Sequence, residues 1–103
     1  MFKVIHFFQM KDGEDIQNAL AEWQPVGDYF KSKGCLERKV YKLFDARSGS
    51  EEIESSPYIM DVVWPDKDTN DAAWADLPDD LKELNRQFLQ KAILDMGVRY
   101  VDL

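Results

Sequence analysis

Phe2-Lys3-Val4-Ile5-His6-Phe7-Phe8-Gln9-Met10 is dense in β-branched and aromatic residues and reads as a strand. Phe2, Val4, His6 and Phe8 share one face of it, and Ile5 and Phe7 share the other. A strand that is apolar on both faces belongs in the middle of a sheet covered on both sides. Tyr58 to Trp64 is a second stretch of this kind, opened by Pro57, interrupted only by Asp61 and ended by Pro65-Asp66. Two central strands of this character, far apart in sequence, set the architecture.

The segments around them have other periods. Lys11-Asp12-Gly13 turns the chain, and Asp12 or a neighbour can cap a helix. Ile16, Ala19, Leu20, Trp23 and Phe30 then recur at threes and fours, the spacing of an amphipathic helix. Glu14 and Asp15 suit its positive end, and Lys31 and Lys33 its negative end. Pro25 removes a backbone donor and predicts a kink or a break, and Gly34 predicts the stop. Cys35 to Phe44 alternates, with Leu36, Val40 and Phe44 on the parity of Arg38 and Lys42, as a charged edge strand should. Asp45 to Ser56 reads as a loop. Asp68 to Ala75 predicts a short helix, and Leu77-Pro78 restarts the chain into a longer one. Its stripe is Leu81, Leu84, Phe88, Ala92 and Met96, with Gly97 as the stop and Val98 to Leu103 as a last strand.

Residues 1–47 and 57–103 thus each run strand, helix, strand. The order βαββαβ is the ferredoxin-like split arrangement, an α+β fold with a four-stranded antiparallel sheet and helices on one face. The first and third strands fit its centre and the second its edge. The sheet's other face carries Phe, Ile, Val or Tyr and must be buried against something, which predicts a homodimer through the open face.

Length and composition narrow the partners. A chain of 103 residues makes one domain, 1–103, and 45% apolar with 32% charged residues is an ordinary globular mixture. Thirteen basic residues against 20 acidic ones give a net charge of -7, which excludes nucleic acid as a natural partner. Arg38-Lys39 with Lys42 is the one basic cluster and reads as the solvated face of an edge strand. No apolar run approaches the ~20 residues of a membrane span, and no signal peptide is visible at Met1-Phe2-Lys3-Val4. Cys35 stands alone, so no intrachain disulfide forms and a cytoplasmic setting is expected.

At this point the chain resembles the dimeric α/β-barrel superfamily, in particular its small members similar to antibiotic-biosynthesis monooxygenases. The opening Val4-Ile5-His6-Phe7-Phe8-Gln9-Met10-Lys11-Asp12-Gly13 resembles the family's first strand and glycine turn. Gly34-Cys35-Leu36 before a Tyr-containing strand resembles its second, and Asp61-Val62-Val63-Trp64 an acid-x-x-Trp end to the third. Asp71-Ala72-Ala73-Trp74 resembles the start of the following helix. Many members carry a His early in that helix, whereas 72–76 here has none. The resemblance implies a dimeric α/β barrel with a pocket between each sheet and its helices. It also implies a cofactor-independent monooxygenase acting on a small aromatic molecule. The alternative, which the missing His favours, is a non-catalytic small-ligand-binding or stress-response accessory protein of the same fold.

The candidate site residues follow from their chemistry. His6, the only histidine, titrates near neutrality and suits a general base or substrate anchor; the plainer reading is a strand histidine satisfied by one hydrogen bond. The resemblance puts it at the pocket. Asp61 is a carboxylate in an apolar strand and needs a donor, for which Arg38, Arg99 or His6 could serve. We expect Asp61 to orient His6. Trp64, Trp74, Tyr58 and Tyr41 are candidate walls for a flat ligand, with the Tyr hydroxyls orienting it; the plainer and favoured reading is core and interface packing, because a small domain needs such area anyway. Asp66, Asp68 and Asn70 alternate as in a calcium loop, but Asp71 and Leu77 stand where Gly and Glu are needed, leaving turn and cap chemistry. One His and one Cys cannot build a four-ligand zinc site, so no metal and no organic cofactor is expected. Cys35 reads as a structural thiol, and no G-x-G-x-x-G, P-loop or G-x-S-x-G is present.

Overall fold

The computed structural model describes residues 1–47 and 54–103. Part of the loop expected at 45–56 therefore lies outside the described residues. Strand β1 spans Phe2–Met10, helix α1 Ile16–Ser32, strand β2 Glu37–Lys42 and strand β3 Tyr58–Trp64. Helix α2 spans Lys67–Ala75, helix α3 Asp79–Lys91 and strand β4 Ala92–Val101. The sheet order is β2-β3-β1-β4, and every pairing is antiparallel. The two strands that are apolar on both faces occupy the centre, and the charged β2 lies at an edge. This is the ferredoxin-like fold expected from the sequence.

Register decides which residues meet. Val4 lies opposite Val62, His6 opposite Met60 and Phe8 opposite Tyr58, so the even-numbered side chains of β1 and β3 share one face. The helices cover that face. Phe2, Phe8, Met60 and Trp64 of the sheet are buried there against Ala19, Trp23, Val26 and Phe30 of α1 and against Phe88 of α3. Phe30 is the hub of the layer, with ring centroids 5.8 Å from Trp64 and 4.8 Å from Trp74.

Local signals place the helices. Asp15 caps α1, its carboxylate accepting from Asn18 N at 3.1 Å, and Asp66 caps α2 through Thr69 N at 2.7 Å. Gly13 and Gly34 take φ of 80° and 106°, which supplies the turn into α1 and the stop after it.

Three expectations need correction. Helix α1 runs through Pro25 without interruption. Pro25 faces solvent while Trp23, Val26 and Phe30 are buried on both sides of it, so packing outweighs the lost bond. Helix α3 ends at Lys91, and Ala92 and Met96 belong to β4 rather than to its apolar stripe. The open edge of β1 demands a partner along its whole length, and pairing from Phe2↔Val101 to Met10↔Ala92 satisfies it, with an irregularity at Phe7/Phe8. Gly97 is therefore not a helix stop but a mid-strand residue opposite His6. Finally, β2 is shorter than 35–44, although Leu36 N still donates to Val63 O at 2.8 Å.

The molecule measures 38 × 37 × 16 Å, with a radius of gyration of 14.1 Å. A compact domain of this length has about 13 Å, so the chain is a flattened slab of one helix layer on one sheet. The odd-numbered face is left open. Ile5, Phe7, Ile59 and Val63 lie there half-buried, beside Met96 and Tyr100, which are 50% and 55% exposed.

Candidate functional site

Between the sheet and the helices lies a cavity of about 580 Å³. Its floor is Val4, His6 and Phe8 of β1 with Met60, Val62 and Trp64 of β3. Trp23 and Phe30 of α1, Trp74 of α2 and Phe88 of α3 close it from the helix side. Phe8, Trp23, Phe30, Trp64, Trp74 and Phe88 bring aromatic rings to the lining because the stripes of all three helices converge on one short sheet. The size is that of pockets holding drug-sized molecules, about 300–1,000 Å³.

Polar groups interrupt the apolar wall, Asp28, Lys31 and Glu37 among them, and two project from the sheet floor. The first is His6. Its ring lies over Gly97 of β4: a Cβ added there would stand 3.1 Å from His6 Nδ1, so the glycine leaves the room that the imidazole occupies. Among the described residues no hydrogen bond or ion pair ties this imidazole down. Burial pushes its pKa below the usual histidine range near about 6.5. The neutral, proton-accepting ring is the form favoured at physiological pH.

The second is Arg38. It shares the inward face of β2 with Val40, and its guanidinium lies over the Trp23 ring at 4.1 Å. Trp23 is itself fixed, because its indole N–H donates to Asn85 Oδ1 at 2.9 Å. Arg38 Nη1 is sealed from solvent without a hydrogen-bond partner. A Cβ on Gly27 of α1 would come within 2.5 Å of Nη1 and Nη2, so glycine is what lets the guanidinium pass. The expectation of a solvated basic edge thus holds for Lys39, which pairs with Glu37 at 3.0 Å, and fails for Arg38. Parity on β2 was the available signal: Arg38 alternates in phase with Val40, as a pocket residue would.

The other candidates divide by face. Trp64, 1% exposed, and Trp74, 44% exposed, both line the cavity. Tyr58 is on the same side of the sheet and packs on Phe8 at 5.6 Å, but it stands outside the cavity lining. Tyr41 lies opposite Ile59 on the open face. Asp61 also belongs to the open face: it lies opposite Ile5, and its Oδ2 accepts from Lys3 Nζ at 3.4 Å. Strand alternation puts Asp61 and His6 on opposite sides of the sheet, so the expected orienting pair does not form. Neither Arg99 nor Arg38 is its partner. Asp61 Oδ1 is buried and has no hydrogen-bond partner among the described residues.

Cys35 borders the cavity, its thiol directed to Val63 O at 3.6 Å and Glu37 O at 3.5 Å. Burial pushes its pKa up, against thiolate chemistry. Asn70, buried on α2, and Asn85 on α3 add amides to the rim. From the sequence, Asn70 has only turn and cap chemistry and Trp23 only a place in a helix stripe, and nothing singles out Asn85, because each sits where an ordinary helix residue would. Among the described residues no three His, Cys, Asp or Glu side chains gather to hold a metal ion, and no helix is long and apolar enough to cross a membrane.

No family model matches the chain, and no curated protein matches it in sequence. Solved structures do match in shape. HapK from Hahella chejuensis is similar with a TM-score of 0.69 at 15% identity, over 100% of this chain and 93% of that one. SnoaB from Streptomyces nogalater, a cofactor-independent oxygenase, is similar at 0.71 and 10% identity, over 99% and 92%. An antibiotic biosynthesis monooxygenase is similar at 0.66 and 17% identity, over 100% and 99%. The chain has the ferredoxin-like fold of antibiotic-biosynthesis-monooxygenase-like proteins. At such identities the likeness carries the fold alone.

Proposed function

We propose that the chain is a cofactor-independent monooxygenase-like enzyme acting on a small aromatic molecule held in the cavity, with His6 as the general base. The observation that carries this reading is an unpartnered neutral imidazole on the wall of a cavity of about 580 Å³ lined by aromatic rings. Trp64 and Trp74 are the ligand walls, joined by Trp23 and Phe30. Asp61 has no part in orienting His6, and the Tyr41 and Tyr58 hydroxyls have no part in anchoring the ligand.

The chemistry needs a substrate with an acidic ring position. His6 accepts a proton from a ring carbon that bears two hydrogens in its keto form, leaving a delocalised carbanion. The carbanion passes one electron to O2, and the resulting ring radical and superoxide combine into a C–O bond. The peroxide takes a proton back from His6, and loss of water from the hydroperoxide leaves a carbonyl. One oxygen atom ends in the product and the other in water with both hydrogens.

The functional unit in this reading is a homodimer through the open sheet face. A second copy would bury Ile5, Phe7, Ile59, Met96 and Tyr100, and would offer a donor to the orphaned Asp61 Oδ1. The unpaired thiol of Cys35 fits a reducing cytoplasmic setting.

The test is oxygen consumption by the purified protein with mono-, bi- and tricyclic hydroxyaromatics, 1-naphthol among them. One O2 should disappear per quinone formed, without hydrogen peroxide. Ligands that bind in the cavity but drive no oxygen uptake anywhere in the series would make the chain a non-catalytic binding protein of the same fold.

A further inference from the structure

We infer that Arg38 makes this cavity selective for aromatic ligands that carry a carboxylate, with the acid group at the β2 end and the reacting position at His6. The inference rests on the cavity being the ligand site and does not require turnover.

Arg38 is the inward-facing cation of β2; Lys31 of α1 also lines the cavity and Asp28 acts on the guanidinium through space, but among the described residues no hydrogen bond or ion pair answers it. Its guanidinium offers five N–H donors in a planar fork that fits a carboxylate. The contact with the Trp23 ring is a cation–π contact and uses none of those donors. None of them makes a hydrogen bond or ion pair among the described residues, and Nη1 is sealed from solvent. The two carboxylates that line the cavity are engaged elsewhere: Asp28 accepts from Gln24 Nε2 at 2.8 Å, and Glu37 pairs with Lys39 at 3.0 Å. A half-buried cation whose nearest carboxylate, Asp28, forms no ion pair with it is costly to hold. The fold nevertheless makes room for it with Gly27, where a Cβ would force the guanidinium to move from its place. Glycine inside a helix is itself unfavourable. Two unfavourable features that serve one another point to a ligand that completes them.

The sheet fixes the span. Arg38 lies opposite Val62, and Val62 lies opposite Val4, so all three form a row across β2, β3 and β1. His6 stands two residues along from Val4. Strand spacing of about 4.8 Å and a rise of about 3.4 Å per residue put the Arg38 and His6 Cα positions about 12 Å apart. Both side chains lean into the cavity, and the gap left between them suits a ligand of two or three fused rings. A carboxylate at one end would take the Arg38 fork, and the rings would lie among Trp64, Phe30 and Trp74.

Binding of 6-hydroxy-2-naphthoate and of 2-naphthol, followed by quenching of tryptophan fluorescence and by calorimetry at constant salt, tests this. A charge-assisted hydrogen bond in a desolvated site corresponds to a preference of about tenfold or more for the carboxylate. Arg38→Met should abolish that preference while leaving 2-naphthol binding in place, and Arg38→Lys should retain only part of it. Gly27→Ala, which displaces the guanidinium from its slot, should reduce it as well. Removing a half-buried charge that no ion pair answers should leave the thermal midpoint of Arg38→Met at or above that of the parent. Equal affinity for the two naphthalenes, or a preference that survives Arg38→Met, would overturn the assignment to Arg38 and leave the cavity reading standing. Failure of both naphthalenes and of their smaller and larger homologues to bind would overturn the cavity reading itself. A fall in the midpoint of Arg38→Met by more than about 4 °C would mean that the residue is held for structure, and would overturn the inference.

Discussion

His6→Ala should lower the rate of oxygen-dependent turnover by about a hundredfold or more, the usual contribution of a positioned general base. The mutation removes the one imidazole in the chain. No side chain of the described residues bonds to that ring, so its loss breaks no network and the fold should survive intact by circular dichroism. His6→Gln, which keeps polarity and size but not basicity, should be impaired to a similar degree. Cavity binding of 2-naphthol by both variants should stay within a few-fold of the parent, so the loss is in the chemical step. Turnover that is undiminished in either variant would remove His6 from the mechanism.

Phe7→Lys should convert a dimer into a folded monomer. Phe7 lies on the open face between Ile59 and Met96, its neighbours on either side of the sheet. In a two-fold assembly the same patch meets its own copy, so one substitution introduces a charge into the interface twice. An obligate interface of this kind buries more than about 1,000 Å² and is mostly apolar, and a desolvated, unpaired ammonium there costs several kcal/mol. In the isolated chain the introduced ammonium would reach water, so the helix-side core would be untouched. Light scattering at micromolar concentration should give twice 12.0 kDa for the parent and 12.0 kDa for Phe7→Lys. A parent that is already monomeric would refute the dimer.

The parts of the fold that were legible in the sequence are those where one period dominates. Phe2–Met10 and Tyr58–Trp64 match their strands to the residue because β-branched and aromatic residues fill both faces. The boundary between α3 and β4 was not legible. Leu81, Leu84, Phe88, Ala92 and Met96 continue a helical spacing, and only the demand of β1's free edge, a tertiary effect, ends the helix at Lys91. Pro25 misled for a related reason: local chemistry predicts a break, but the buried stripe on the opposite side of α1 outweighs it.

The site was legible by parity and obscured by partnership. Alternation alone groups His6 with Phe2, Val4 and Phe8, and on β3 it groups Trp64 with Met60. It also separates Asp61 from Trp64 and Met60, and once register pairs Ile5 with Asp61 the His6–Asp61 contact is impossible. Register is the missing information, because a strand's own sequence does not state which residue it faces. Arg38 shows the same gap: its parity was visible, but its stack on Trp23 and its passage over Gly27 join segments that no local pattern connects.

The most direct measurement of the central claim is an NMR titration of the single histidine in tag-free protein. One imidazole means one set of ring signals, assigned without ambiguity. Burial in the cavity lowers the His6 pKa, so these signals should titrate below about 6.5, and the base should stay in its reactive neutral form down to that lower pH. Addition of 6-hydroxy-2-naphthoate should shift both ring C–H signals and move the titration. A His6 that titrates at or above the unperturbed value, with signals indifferent to the ligand, would contradict a base facing an occupied cavity.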